Sequence, residues 1–342
     1  MKKVLVPAAV LALLCLGSLT QASITIPTVP VGDVGNQADT RYALPGYGSV
    51  SYSYNIGKYE VTAGQYAPFL NAVAGTDTYG LYNPWMSALD WNGCNIQRSG
   101  SPGTYTYSVA ADWANRPVNW VSYWDACRFA NWLHNGQPTG LPDLSTMEDG
   151  AYYLNGYNGN DGREIQRKAG WKWAVTSEDE WYRAAYYKGG NTNAGYWDYP
   201  TSSDSTPSNV LGNPTDPGNN ATYYDAGYTI GSPYYRTEVG AHENSESPYG
   251  TFDQGGNVWE WNEAIMYQGP DYAYRGLRGG EYSSYDNSLR ASCRIDSYFP
   301  LPESSSVGFR VVQALPPLAS VLVLGSGGIL ALAGMIRRRR NG

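Results

Sequence analysis

Asp253-Gln254-Gly255-Gly256-Asn257-Val258-Trp259-Glu260-Trp261 is the stretch on which the reading of this chain turns. Two successive glycines make a turn, and the Val-Trp-Glu-Trp run after them reads as a short, partly alternating strand. Downstream, residues 276–282, 289–294 and 307–312 read as further strands of the same kind. Upstream, residues 188–250 are rich in Asn, Asp, Pro and Gly and show no sustained period, so they read as loop.

Helices are signalled further back. Ser177-Glu178-Asp179-Glu180 is a capping box with acids in the first turn, and Trp181, Ala184 and Ala185 form the inner face behind it. Ser122 opens a second helix with Asp125 in the third position and Phe129, Trp132 and Leu133 as its buried stripe. Thr62 can cap an earlier one, whose Tyr66, Phe69, Leu70 and Val73 share a face. Residues 74–115 and 135–172 read as loops, and residues 23–52 as a Pro/Gly-rich extended lead-in with a short strand or two. With 31 Tyr, 12 Trp and 40 Gly, the expected fold is an irregular α+β domain whose core is aromatic rings between glycine turns.

The ends predict export and anchoring. Lys2 and Lys3 precede an apolar run and the polar stretch Thr20-Gln21-Ala22, which reads as a signal peptide over residues 1–22 that takes Cys15 with it. Residues 318–336 carry no charge, and 19 residues at about 1.5 Å each match a bilayer core of roughly 30 Å. Arg337 to Arg340 follow, so a spanning helix would leave the arginine tail cytoplasmic and the domain outside. The layout over residues 314–342 resembles a PEP-CTERM sorting signal, although Leu315-Pro316-Pro317 stands where Pro-Glu-Pro is expected. Without Lys2, Lys3 and the arginine tail the formal charge falls from −7 to −13. Such a surface disfavours nucleic acid, which is bound through Lys and Arg on phosphates.

Six motifs then occur in a telling order: Gly57-Lys58-Tyr59-Glu60-Val61-Thr62, Arg116-Pro117-Val118-Asn119-Trp120, Thr176-Ser177-Glu178-Asp179-Glu180-Trp181, Gly256-Asn257-Val258-Trp259-Glu260-Trp261, Arg278-Gly279-Gly280 and Gly308-Phe309-Arg310. Over residues 53–313 the chain resembles the formylglycine-generating, sulfatase-modifying-factor family, with residues 135–172 as an insertion. The resemblance implies that family's variant of the C-type lectin fold. It also implies an oxidase that converts a sulfatase cysteine using two copper-binding cysteines shortly after the Arg-Gly-Gly motif. Here that stretch is Glu281-Tyr282-Ser283-Ser284-Tyr285-Asp286-Asn287, without a thiol. Copper(I) is soft and wants thiolate ligands, so copper chemistry is not expected. Two histidines, His134 and His242, are too few for a three-histidine iron site.

What the resemblance leaves is calcium. It implies ligation by the Asp253 and Glu260 carboxylates and the Gly256 and Val258 carbonyls, donors suited to a hard cation. Asn220 and Asp225 are candidates for a second calcium site, and the family's structural disulfide points to Cys127 with Cys293. Cys94 would then be an odd thiol. Two readings of function follow. One is a calcium-stabilised surface module that binds an extracellular glycan, peptide or protein; the other is a sulfatase-maturing oxidase, or a related oxidoreductase, with a non-standard site.

Overall fold

A computed structural model describes residues 23–212 and 217–315 of the protein; the signal expected over 1–22 and the apolar segment 318–336 lie outside the described residues. Among the described residues no helix is long and apolar enough to cross a membrane.

The chain runs β1 (Thr28–Val31), β2 (Tyr54–Gly57), α1 (Ala63–Val73), β3 (Ile96–Ser99), β4 (Thr106–Val109), α2 (Ala111–Ala114), α3 (Tyr123–His134), β5 (Trp173–Val175) and α4 (Glu178–Tyr186). After a long irregular stretch come β6 (Trp259–Gln268), β7 (Ala273–Arg278), β8 (Ile295–Tyr298), β9 (Val307–Phe309) and β10 (Val311–Ala314). The three helices expected from sequence all start at capping boxes, on Thr62 with Gln65, Ser122 with Asp125, and Ser177 with Glu180. In each, side chain and backbone satisfy one another's free N–H groups.

Three expectations shift. The strand expected over 276–282 is β7, which runs Ala273–Arg278, so Gly279 to Tyr282 lie outside it. Residues 289–294 are not a strand: a short 3-10 turn ends at Leu289, and the edge strand β8 begins only at Ile295. The stretch 74–115 is not all loop, since it holds the β3–β4 hairpin and α2. Only Ile96 and Tyr107 of that hairpin are buried, so the apolar alternation that marks a strand is nearly absent from it.

One sheet has the order β1-β2-β10-β5 and is antiparallel throughout, with Val312 opposite Ile56 and Gln313 opposite Trp173. The other has the order β8-β7-β6-β9, and its β6–β9 pair is parallel, with Trp261 opposite Phe309. Between the helices and these sheets lies an aromatic core. Phe129 stacks on Tyr66 at 5.9 Å and meets Phe309 edge-on at 5.3 Å, while Trp261 Nε1 donates to Val121 O at 3.0 Å. The insertion is bound to α3: Asn131 Nδ2 donates to the carbonyls of Met147 and Tyr152, and buried Arg128 pairs with Glu148 at 2.6 Å.

Candidate functional site

The turn before β6 is held from both sides. Gly256 has φ +90°, its N–H donates to Gly279 O at 2.9 Å, and Asn257 N–H donates to Thr222 O at 2.8 Å. A Cβ on Gly256 would stand 1.9 Å from Thr222 O, so only glycine fits. Asp253 opens the turn, also at positive φ (+61°), and its Oδ2 accepts from Gly240 N–H at 2.6 Å. The four residues expected to bind calcium thus share one turn and the first residues of β6.

Glu260 on β6 is fully buried and points at a guanidinium. Its Oε2 accepts from Trp181 Nε1 at 2.7 Å and Arg310 Nε at 3.0 Å, and its Oε1 accepts from Arg310 Nη2 at 2.8 Å. Glu60, just after β2, faces the same guanidinium from 3.9 Å, yet neither of its carboxyl oxygens has a hydrogen-bond donor among the described residues. Burial, reinforced by Asp253, pushes the Glu60 carboxyl well above its usual range, and burial also raises Asp253, to about 6. Three acids therefore share one buried cation.

Whether the loop suits calcium turns on its donors. A carboxylate offers about four lone-pair sites. Glu260 has three of them engaged by Arg310 and Trp181, whereas the orphaned Glu60 carboxylate beside it is what a cation would satisfy. Among the described residues no three His, Cys, Asp or Glu side chains converge closely enough to hold a metal, so carbonyl oxygens would have to supply much of any shell. Glu60 and Arg310 were missed as site residues in the sequence, though a charged residue inside Tyr-Glu-Val and Phe-Arg-Val runs was the available signal. The second candidate site is weaker in geometry. Asn220 is buried with its Nδ2 donating to Val210 O at 2.6 Å, while Asp225 is exposed.

The stretch where the resemblance places copper thiols is built differently. Glu281 accepts from Ser283 N–H at 2.8 Å and Ser283 Oγ at 2.6 Å, and Ser284 O accepts from Tyr224 N–H at 2.8 Å. Around it lies a chain of tyrosines. Tyr228 meets Tyr224 at 5.1 Å, Tyr235 at 4.9 Å and Tyr282 at 6.2 Å, and Tyr224 meets Tyr285 at 5.7 Å. Tyr228 is 44% and Tyr285 63% exposed, so the cluster presents rings to solvent. The loop is legible in the sequence and this assembly is not, because Tyr228, Tyr235 and Tyr282 are far apart in the chain.

The expected Cys127–Cys293 bridge is not formed: Cys94 and Cys127 are buried free thiols and Cys293 a half-buried one. Their surroundings differ. Cys127 lies by Tyr123 and Arg275, while Cys293 lies by Arg278, whose Nη1 donates to the Cys293 carbonyl at 2.9 Å. Arg275 and Arg278 are an odd number of residues apart on β7, so they leave it toward opposite faces. Cys94 is next to Arg236, and burial raises its thiol. Both histidines take hydrogen-bonded roles: His134 Nδ1 accepts from Lys172 N–H at 3.1 Å, and His242 Nε2 lies 3.1 Å from Thr222 Oγ1.

The family model described as the sulfatase-modifying factor enzyme 1-like domain matches residues 21–315. Two solved structures are similar over nearly their whole lengths. The crystal structure of CarF is 21% identical, covering 85% of this chain and 99% of that one, with a TM-score of 0.50. Variable protein 1 of Treponema denticola is 20% identical, covering 86% and 97%, with a TM-score of 0.50. At these identities the likeness is one of fold. Comparison with curated proteins gives no match.

Proposed function

The chain belongs to the sulfatase-modifying factor enzyme 1-like family, and from that premise we propose that it is a non-catalytic binding module, stabilised by calcium, anchored on the outer side of a membrane. Its ligand is an extracellular glycan, peptide or protein. One observation carries this reading: the segment after Arg278-Gly279-Gly280 offers serine hydroxyls and a ring of partly exposed tyrosines in place of a thiol pair. Tyrosine rings supply rigid, amphipathic contact area with a hydroxyl at the rim, which suits recognition. Redox chemistry on copper needs soft sulfur donors that this segment lacks.

In this reading Asp253 and Glu260, with the Gly256 and Val258 carbonyls, hold calcium, which neutralises local carboxylates and fixes the turn. Asn220 and Asp225 are the candidates for a second ion. Residues 318–336 form the anchor.

The test pairs two measurements on the purified full chain. Tyr228→Ala with Tyr285→Ala should weaken binding to whichever member of a panel of extracellular polysaccharides and peptides the wild type retains, while leaving the melting temperature unchanged. Incubation with copper and a cysteine-containing sulfatase peptide should leave the peptide unaltered. Stoichiometric copper with formylglycine formation would establish the oxidase reading instead.

A further inference from the structure

Three strand ends meet where the described chain stops. β10 ends at Ala314, opposite Tyr54 at the start of β2 and one residue beyond Gln313, which lies opposite Trp173 at the start of β5. Ala314 N–H donates to Lys172 O at 2.9 Å. The residues just before the two flanking strands therefore surround the exit. Tyr52, Trp171, Lys172 and Trp173, with Leu315, line a groove of about 670 Å³ there. Tyr52 is 41% and Leu315 39% exposed, and the Tyr52 and Trp171 rings meet edge-on at 6.4 Å.

Only Pro316 and Pro317 separate Leu315 from Leu318, where the uncharged segment begins. Three residue steps span about 10 Å at most, so a bilayer entered at Leu318 lies within about that distance of this end of the sheet. Its composition suits that contact. Trp and Tyr concentrate at the headgroup level, where one end of the ring is apolar and the other wet. Lys172 lines this groove and is exposed, on a domain whose overall charge is strongly negative, whereas Lys168 is paired with Asp149. Lysine stems lie along apolar surface while their ammonium groups reach lipid phosphates.

We propose that the face formed by Tyr52, Trp171, Lys172, Trp173 and Leu315 docks on the lipid headgroups of the bilayer that residues 318–336 enter, fixing the orientation of the domain with the exit end down. The proposal rests on the anchored reading given above, and its own content is which face meets the lipid.

The experiment uses the full chain mixed with phosphatidylglycerol-containing vesicles whose acyl chains are brominated close to the headgroups. Flotation reports anchoring, and quenching of tryptophan fluorescence reports which indoles approach the lipid. Wild type should float and be quenched, and Trp171→Phe with Trp173→Phe should float equally while losing at least half of the quenching. Trp85→Phe with Trp91→Phe, which removes the two most exposed indoles elsewhere, should retain it. A chain that floats but whose quenching survives loss of Trp171 and Trp173, or follows Trp85 and Trp91, overturns the docking face and leaves the anchor standing. A chain that stays out of the floating fraction overturns the anchor and the docking face with it.

Discussion

Arg310 is the residue on which the interior of the candidate site depends. It is wholly buried, chelates Glu260 through two nitrogens, and donates to the backbone carbonyls of Gly57 at 2.8 Å and Phe252 at 2.8 Å. Removing one partner of a buried ion pair strands the other charge, at about 3–5 kcal/mol. Arg310→Ala should lower the urea-unfolding free energy by about that much; a loss below about 1 kcal/mol would mean that protons or a cation already balance Glu60 and Glu260. A half-buried acid elsewhere, Glu303, sets a pH dependence. Burial, with Asp125 nearby, pushes Glu303 up to about 8 from an ordinary 4.5. Its protonated form is favoured by folding, so this contribution to stability is complete below pH 4.5 and is lost as pH rises to about 8. Glu303→Gln should flatten the decline in melting temperature between those limits, and an unchanged slope would remove Glu303 as its cause. Acids of this kind were hard to foresee, since Glu303 sits in a polar Pro-Glu-Ser-Ser run and only the fold half-buries it beside Asn83.

At the level of elements, what could be read from the sequence was local chemistry. The three capping boxes are short-range signals, complete within four residues, and all three helices start where Thr62, Ser122 and Ser177 place them. Ser177 Oγ accepts from Glu180 N–H at 3.1 Å and the Glu180 carboxylate accepts from Ser177 N–H at 2.7 Å. Ser177→Ala should therefore cost about 1 kcal/mol of stability, seen as a shift in the urea midpoint with unchanged slope. No shift would mean that the Glu180 contacts to Arg167 hold the helix start unaided. The β3–β4 hairpin and the late start of β8 escaped sequence reading for a different reason. Their strands are short, lie at edges or in a two-stranded ribbon, and pair through backbone groups that leave little trace in side-chain pattern. The insertion is ordered by Asn131 and Arg128, polar residues of α3 that reach its backbone and its Glu148. Nothing in the loop-like composition of residues 135–172 announced that tie.

For the whole molecule the problem is charge. Without Lys2, Lys3 and the arginine tail the chain carries −13, and the site brings Glu60, Asp253 and Glu260 around a single guanidinium. Family motifs spaced across 53–313 made the fold legible as a whole, because a scaffold with so little regular structure is specified by its turns and buried charges rather than by periodic strands. The ring of tyrosines was illegible for the complementary reason, being assembled from residues 224–285 by folding alone. The proposed calcium would be the remaining term in this balance. An ion that binds the folded chain alone stabilises it by roughly 2.7 kcal/mol when free ion is a hundredfold above its dissociation constant. For a domain of this size that is a rise of several degrees in melting temperature. Adding EDTA to the purified full chain should lower the transition by that margin, and excess calcium should restore it where magnesium, which resists giving up its waters, does not. Asp253→Ala should abolish the response while keeping the fold. A transition indifferent to EDTA in the wild type would instead assign the neutralising role to Arg310 and to protons held on Glu60 and Asp253, leaving the turn before β6 an all-protein structure.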